Sequence, residues 1–319
     1  MTSESASKKY MVKPFDIVLT GPAGFIGNRL VQRACELGYK ITALDLPANE
    51  KLFRGIKNVR FIGCDITDRH SLKKINGIGK NTVLVHLAAF VPHIPSREDK
   101  ARDMIIDVNL RGTSVLLDSL KGRLKKVVYI STLEVYGKPV YLPIDEKHPA
   151  NPVTYYGLSK LMAESYARVF CLKNAIEYVS LRLSCVYGPG ENYDRAIPNF
   201  IKAALKNSGI KIYGNGQDLR DYIFIDDAVN AILLAARSSG TKGQINIASG
   251  RSYKISETAR LIKEISRSGS RIKSFPAKKG FYDIVFNTAC AKKELGFQAK
   301  VGFRQGLAKE IDWFSASSV

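Results

Sequence analysis

The sequence predicts an α/β protein: a doubly wound parallel sheet with a smaller C-terminal α/β lobe. Short apolar runs of strand-forming residues recur from Phe15 to Leu183, helical patterns separate them, and a glycine-rich turn follows the first run directly. Phe15 to Thr20 (FDIVLT) is the first strand, and a helical pattern from Phe25 to Leu37 follows the turn. Lys40 to Leu44 and Val59 to Cys64 are the next strands, each followed by an acidic residue, Asp45 and Asp65. Thr82 to Leu87 and Lys126 to Ile130 are continuous apolar runs of the kind buried on both faces of a parallel sheet, with helix between them around Arg102 to Leu120. A long helix is predicted over Val153 to Leu172, then a strand over Tyr178 to Leu183, then a loop broken by Gly188, Pro189 and Gly190. Further helices are predicted at Ala196 to Lys206, Asp226 to Arg237, Ile255 to Ser266 and Gly302 to Phe314. Residues 14–183, with a strand-helix-strand return over 221–248, form the expected cofactor domain. Residues 184–220 and 249–319 form the smaller lobe, and residues 1–13 are expected to be a disordered tail.

Composition narrows the class. The 319 residues, 45% hydrophobic and 24% charged, suit a globular chain that buries a sizeable core. No stretch approaches the roughly 20 uninterrupted apolar residues of a membrane span, and the polar N-terminus lacks a signal-peptide block. Five scattered cysteines (Cys35, Cys64, Cys171, Cys185, Cys290), none in a CxxC pair, suggest neither disulfides nor a metal site and fit a reducing cytoplasm. The formal net charge of +20 is spread in short groups such as Arg123 to Lys126 and Lys292-Lys293. That pattern reads as a basic surface that attracts anionic substrates, and no nucleic-acid partner is expected.

Thr20-Gly21-Pro22-Ala23-Gly24-Phe25-Ile26-Gly27 sits where the first βα turn must be. Glycine allows the sharp turn and a close approach of backbone N–H groups to a pyrophosphate, and the following helix N-terminus adds partial positive charge. This is the signature of a Rossmann-type dinucleotide domain, so Gly21, Gly24, Phe25, Ile26 and Gly27 are candidate cofactor residues. Asp45, ending the second strand, is placed to accept hydrogen bonds from the adenosine ribose and to repel a 2′-phosphate, which predicts NAD over NADP. Asp65 and Ile66 are candidates for the adenine, although an Asp after a strand is also an ordinary turn residue.

Tyr156 and Lys160 stand four apart and share one face of the predicted long helix. A neighbouring ammonium and a positive nicotinamide ring would favour phenolate and lower the Tyr156 pKa toward working pH, which suits proton transfer. Tyr155 has Ser159 at the matching position and offers no such pair.

Together TGPAGFIG at Thr20, HLAA at His86, DVNLRGT at Asp107, YISTLEVYG at Tyr129, YYGLSK at Tyr155, LRLSCVYGPGEN at Leu181 and RDYIFIDD at Arg220 resemble the extended short-chain dehydrogenase/reductase family, in its nucleotide-sugar epimerase and dehydratase branch. The resemblance spans nearly the whole chain. It implies NAD as cofactor, a nucleotide-diphosphate sugar as substrate, and a homodimer formed through the helices around Arg102 to Leu120 and Val153 to Leu172. It further implies that Thr132 hydrogen-bonds the reacting sugar oxygen, that Tyr156 is the acid/base, and that Lys160 binds the nicotinamide ribose and tunes Tyr156. Asn109 would support the lysine, while Leu87, Ala88 and Ala89 would line the pyrophosphate and ribose. Arg220 would grip the substrate diphosphate, its bland alternative being a salt bridge to Asp221 or Asp226. Asn199, Cys185 and Lys278 fall at substrate-side positions; Cys185 replaces an asparagine common in the 4-epimerases, and Lys278 stands near a common arginine. Dehydratases of the branch follow the threonine with Asp-Glu, whereas this chain has Leu133 and Glu134, and leucine cannot protonate a leaving hydroxyl. The expectation is therefore a 4-epimerase of the UDP-glucose or UDP-N-acetylglucosamine type, working through a transient 4-keto sugar. The alternatives are a dehydratase or decarboxylase using Glu134, or a non-catalytic member that binds NAD or nucleic acid.

Overall fold

Seven strands, the central ones largely apolar and buried on both faces, stand side by side, all parallel, with helices packed against the sheet. The structure is a computed structural model, and it describes residues 15–92, 98–276 and 282–317. The tail expected over residues 1–13 lies outside the described residues. In chain order the strands are β1 (Asp16–Thr20), β2 (Lys40–Asp45), β3 (Val59–Gly63), β4 (Thr82–His86), β5 (Leu124–Thr132), β6 (Glu177–Leu183), β7 (Cys185–Tyr187), β8 (Ile210–Tyr213), β9 (Leu219–Phe224), β10 (Gly243–Ile247), β11 (Ser252–Lys254) and β12 (Ile272–Phe275). The helices are α1 (Phe25–Glu36), α2 (Arg69–Leu72), α3 (Arg102–Ile106), α4 (Thr113–Ser119), α5 (Tyr155–Lys173), α6 (Ala196–Leu205), α7 (Ile225–Arg237), α8 (Ile255–Ile265), α9 (Ala289–Leu295) and α10 (Phe303–Ser317).

The main sheet has the order β10-β6-β5-β4-β1-β2-β3. The order reverses between β1 and β4, which opens a crevice above the carboxyl ends of the strands, the place where doubly wound sheets hold ligands. Of the return read over 221–248, α7 packs on the main sheet and β10 pairs with β6. β9 instead joins β7 and β11 in a three-stranded sheet, and β12 pairs with β8. The helix expected around Arg102 to Leu120 is divided: α3 and α4 flank a π-helical turn over Asp107–Gly112, which carries the buried Asn109.

One apolar cluster under α1, α7 and the lobe includes Leu19, Val85, Ile130, Ile223 and Leu307; a second, on the other face, includes Leu84, Leu116, Tyr129 and Ala163. Two polar arrangements interrupt them. Glu164 of α5 takes Arg182 of β6 in a fork, Nη2 to Oε1 at 2.6 Å and Nε to Oε2 at 3.2 Å, and also accepts from Ser180 Oγ at 3.0 Å. Arg182 and Glu164 side chains are 6% and 2% exposed, so the pair is desolvated and its geometry has to compensate. His86, at the end of β4, lies between Thr20 Oγ1 on Nδ1 (2.7 Å) and Thr113 Oγ1 on Nε2 (2.8 Å). Thr113 Oγ1 donates to the Asn109 carbonyl and Thr20 Oγ1 accepts from Ala88 N, so every donor finds an acceptor when the ring is neutral with its proton on Nε2. Burial pushes the His86 pKa down to about 3, and the nearby Lys160 charge acts in the same direction.

Removing one member of the buried pair should be costly. Glu164→Leu is expected to lose about 3–5 kcal/mol in chemical denaturation, while Glu164→Leu combined with Arg182→Met should lose clearly less. Equal losses in the two proteins would mean that lost packing, not an orphaned charge, sets the cost. The His86 ring makes a second prediction. Its folded pKa lies below its unfolded value of 6.5, so the unfolded chain takes up a proton that the folded chain refuses. Stability from this residue therefore falls as pH drops through 6.5 and stops falling near 3. Denaturation midpoints followed from about pH 7 to about pH 4 should drop less steeply in His86→Gln than in the parent. The same slope in both would place the titration elsewhere.

Candidate active site

The crevice above β1, β2, β4 and β5 is a cavity of about 930 Å³. The glycine turn forms its floor for steric reasons that can be stated atom by atom. Gly21 has φ +68°, and a Cβ there would lie 2.8 Å from Ala88 N; a Cβ on Gly27 would lie 2.1 Å from the Gly21 carbonyl oxygen. Gly24 is different, since a Cβ there would meet only Gly21 O at 3.4 Å, and the space beside it belongs to the cavity. The turn and the N-terminus of α1 thus present backbone to the cavity with no side chain in the way, the kind of surface that binds a pyrophosphate. Gly21, Gly24, Phe25, Ile26, Gly27, Asp45, Asp65, Ile66, Leu87, Ala88 and Ala89 all line this one cavity.

Asp45 ties the end of β2 to the turn, Oδ2 accepting from Ala23 N at 3.0 Å and Oδ1 from Leu46 N and Asn49 Nδ2 at 2.8 and 2.9 Å. Asp65 Oδ1 accepts from Thr67 N and Oγ1, so it is a turn residue and also part of the wall. Asn109 does not reach the cavity. It accepts from Phe90 N at 2.6 Å and donates to Phe90 O and Ser159 Oγ, holding the loop after β4 against α5 one residue from Lys160.

Thr132, Tyr156 and Lys160 enter the cavity from the carboxyl end of β5 and the first turns of α5. The helix starts where it does because Thr154 caps it, Oγ1 accepting from Gly157 N at 2.9 Å and donating to Glu134 Oε2 at 2.8 Å. Glu98, which no sequence motif singled out, accepts from Tyr156 N at 2.6 Å. Lys160 is 2% exposed with Nζ 4.3 Å from the centre of the Tyr129 ring. Burial lowers its pKa to about 7 against the raising effect of Glu164.

The lowering expected of Lys160 together with a nicotinamide ring is not produced by the protein on its own. Within the protein itself burial raises the Tyr156 pKa above its ordinary value, Glu134 adds to the rise and Arg195 opposes it. Lys160, itself desolvated, is not among the groups that shift it. Burial likewise raises Glu134.

On the substrate side the expected residues scatter. Cys185 opens β7 with burial pushing its thiol up to about 11, so it is not an activated nucleophile. Arg220 spends Nη1 on the carbonyls of Leu219 (2.8 Å) and Tyr282 (2.5 Å). Neither acid proposed as its bland partner is free: Asp226 pairs with Arg29, and Asp221 accepts from Ser249 and Gly250. Asn199 is exposed on α6 and donates to Asp194 Oδ1 at 2.7 Å, and Lys278 lies outside the described residues. Tyr193 and Arg195 line the cavity and were missed, because a tyrosine and an arginine in a polar loop carry no sequence signal. Among the described residues no cluster of potential ligands could hold a metal ion, and no helix is long and apolar enough to cross a membrane.

Comparison with known proteins agrees with this geometry. Residues 17–248 match the model of the NAD dependent epimerase/dehydratase family. The chain is 34% identical to a provisionally named UDP-glucose 4-epimerase of Methanocaldococcus jannaschii, covering 93% of this chain and 97% of that one. It is 30% identical to a UDP-N-acetyl-alpha-D-glucosaminuronate decarboxylase of Bacillus cytotoxicus, again over 93% of this chain and 97% of the relative. The crystal structure of the Thermotoga maritima UDP-glucose 4-epimerase with UDP-glucose superposes with a TM-score of 0.88 at 28% identity, covering 96% of this chain and all of that one. The chain is a member of the NAD dependent epimerase/dehydratase family, an NAD-dependent enzyme of nucleotide-sugar chemistry.

Proposed function

We propose that the protein interconverts the C4 epimers of a nucleotide-diphosphate sugar through a transient 4-keto sugar. The observation that carries this reading is the distribution of acids. The carboxylates lining the cavity among the described residues are Asp45, Asp65 and Asp107, whereas the wall around Thr132 and Tyr156 offers none. Leu133, where a dehydratase would need an acid, packs against the apolar cluster of Val135, Tyr136, Ile284 and Phe286. Of the two carboxylates beside Tyr156, Glu98 is taken up by the Tyr156 backbone N–H, and Glu134, whose charge acts on the phenol, has its Oε2 occupied by the Thr154 hydroxyl.

Bound NAD supplies a hydride acceptor that can return the same hydride, so no net oxidant is consumed. Gly21, Gly24 and Gly27 would hold its pyrophosphate, Asp45 its adenosine ribose, and Lys160 the nicotinamide ribose. Thr132 Oγ1 would hold the C4 oxygen of the sugar, and Tyr156 Oη would take the C4 hydroxyl proton as the C–H bond at C4 breaks. The same phenol would give the proton back after the keto sugar has turned over. The high Tyr156 pKa of the protein alone keeps the phenol protonated, ready to act as an acid toward a keto oxygen; its action as a base needs a positive charge brought beside it. A second reading, loss of water or carbon dioxide, rests on Glu134, the carboxyl that follows Leu133 and whose pKa burial raises.

Proton NMR of the purified protein with NAD and a panel of UDP-, GDP- and dTDP-sugars should show 4-epimers interconverting. Tyr156→Phe should slow the exchange by at least about 10²-fold with NAD still bound. Unsaturated or decarboxylated products in place of epimers would transfer the function to Glu134.

We further propose that the protein works as a homodimer in the cytoplasm, a compartment that suits its five free cysteines. Leu158, Met162, Tyr166 and Val169 are 36–41% exposed at spacings of four, four and three along α5, an apolar stripe at helical period. Met104 of α3, which packs beside α5, is 54% exposed. A second copy of the same two helices would bury this face. Sedimentation should report a dimer that Met162→Glu together with Val169→Glu converts to a monomer; a parent protein that sediments as a monomer would reject the assembly.

A further inference from the structure

The reaction as proposed leaves one guanidinium of the cavity wall without a task. Arg195 is the last residue before α6, and it lines the cavity together with Thr132, Tyr156 and Lys160. Its Cζ lies 4.9 Å from the centre of the Tyr193 ring, and its nearest carboxylate oxygen, Glu191 Oε1, is 3.9 Å from Nη1. Among the described residues its side chain makes no hydrogen bond. Glu191 balances it poorly. That side chain is 2% exposed, its Oε2 has no hydrogen-bond partner among the described residues, and burial pushes its pKa up to about 7. Glu134 also acts on Arg195, but its Oε2 is engaged by Thr154. The Arg195 side chain is 45% exposed, so water rather than protein meets its donors, and its planar fork stands at the cavity wall free for two-point capture of an anion.

Two anions of a nucleotide sugar could meet it: the diphosphate and a carboxylate on the sugar. Their places differ by simple connectivity. The diphosphate hangs from C1, across the pyranose ring from C4, whereas a C6 carboxylate hangs from C5, the direct neighbour of C4. Arg195 lines the cavity together with Thr132 and Tyr156, the residues that would seat C4, which sets it at the C4 end. Arg220 is not among the residues that line the cavity, and its Nη1 is taken up by the backbone carbonyls of Leu219 and Tyr282.

We propose that Arg195 selects a nucleotide sugar whose reacting sugar is a uronic acid, holding the C6 carboxylate in its guanidinium fork. The proposal rests on the 4-epimerase reading for the seating of C4 at Tyr156. Calorimetry on the NAD-loaded protein tests it, with glucose and glucuronic acid each carried on UDP, GDP and dTDP. On at least one carrier the glucuronic acid compound should bind at least about tenfold more tightly than its glucose counterpart. That ratio should fall to about one in Arg195→Gln and be intermediate in Arg195→Lys, whose point charge lacks the fork. Equal or reversed affinities on every carrier, no binding of any of the compounds, or a ratio unchanged in Arg195→Gln would overturn the proposal. The ratio is read without turnover, so the two readings fail separately. Decarboxylated or dehydrated product with the ratio intact removes only the epimerase reading, while 4-epimers formed with a ratio of one remove only the role of Arg195.

Discussion

Helix α5 has to bring a phenol and an ammonium into one cavity while its other side lies against the sheet, and the buried ion pair between Glu164 and Arg182 is what fixes it there. Glu164 lies one helical turn beyond Lys160, so the fork that clamps it to β6 also sets the rotation of the helix and with it the aim of Lys160 and Tyr156. Arg182 in turn lies over the Tyr136 ring at 4.9 Å, and Tyr136 Oη reaches Asn246 Oδ1 at 2.6 Å. The clamp thus runs from the catalytic helix through β6 to β10 at the edge of the sheet. A hydrophobic pair at these positions would hold α5 as firmly but would leave its rotation less defined, because apolar contacts are non-directional.

Close to the Lys160 ammonium the side chains are mostly uncharged. Lys160 meets a tyrosine face, a histidine held neutral by two threonines, and an asparagine that works through Ser159. Desolvation pushes the lysine toward losing its proton and the tyrosine toward keeping it. In such surroundings a positive charge delivered with a ligand changes the balance far more than it would in water, since the low-dielectric wall screens little. The proton affinity of Tyr156 is therefore coupled to what occupies the cavity, and of the two positive charges expected to lower it, the lysine is itself desolvated by the burial that the same helix imposes on both groups.

The parts of this design that were legible in the sequence are those that local chemistry dictates. Parallel strands buried on both faces leave continuous apolar runs, and these located β1 to β6 to within a few residues. The glycine turn was legible because backbone approach at Gly21 and Gly27 excludes any side chain, and Tyr156 with Lys160 because helical period puts them together. What depends on tertiary contact was not. The π-helical turn that carries Asn109 interrupts a pattern that reads as one helix, and the short strands β7, β8 and β12 are too brief to leave a period. Which sheet β9 joins is decided by partners far away in the chain. Glu98 and Arg195 reach the site from loops, where position follows from the packing of other elements and not from any spacing of their own.

The cavity is electrically divided, and the division orients its ligands. Asp45, Asp65 and Asp107 line the end above β2, β3 and the π-helical turn, while Lys160 and Arg195 line the end above β5 and the loop before α6. A dinucleotide entering with its uncharged adenosine toward the acids can use them as hydrogen-bond acceptors, and its diphosphate then falls on the glycine turn, where backbone N–H groups replace lysines. The reverse orientation would set a nicotinamide and its reacting partner among carboxylates, with no tyrosine in reach. The basic end is thereby left to the second ligand, whose negative charges have nowhere better to go. The +20 net charge of the whole chain reinforces that preference from a distance, but the choice between one sugar and another falls to the few donors at contact range, where geometry outweighs net charge.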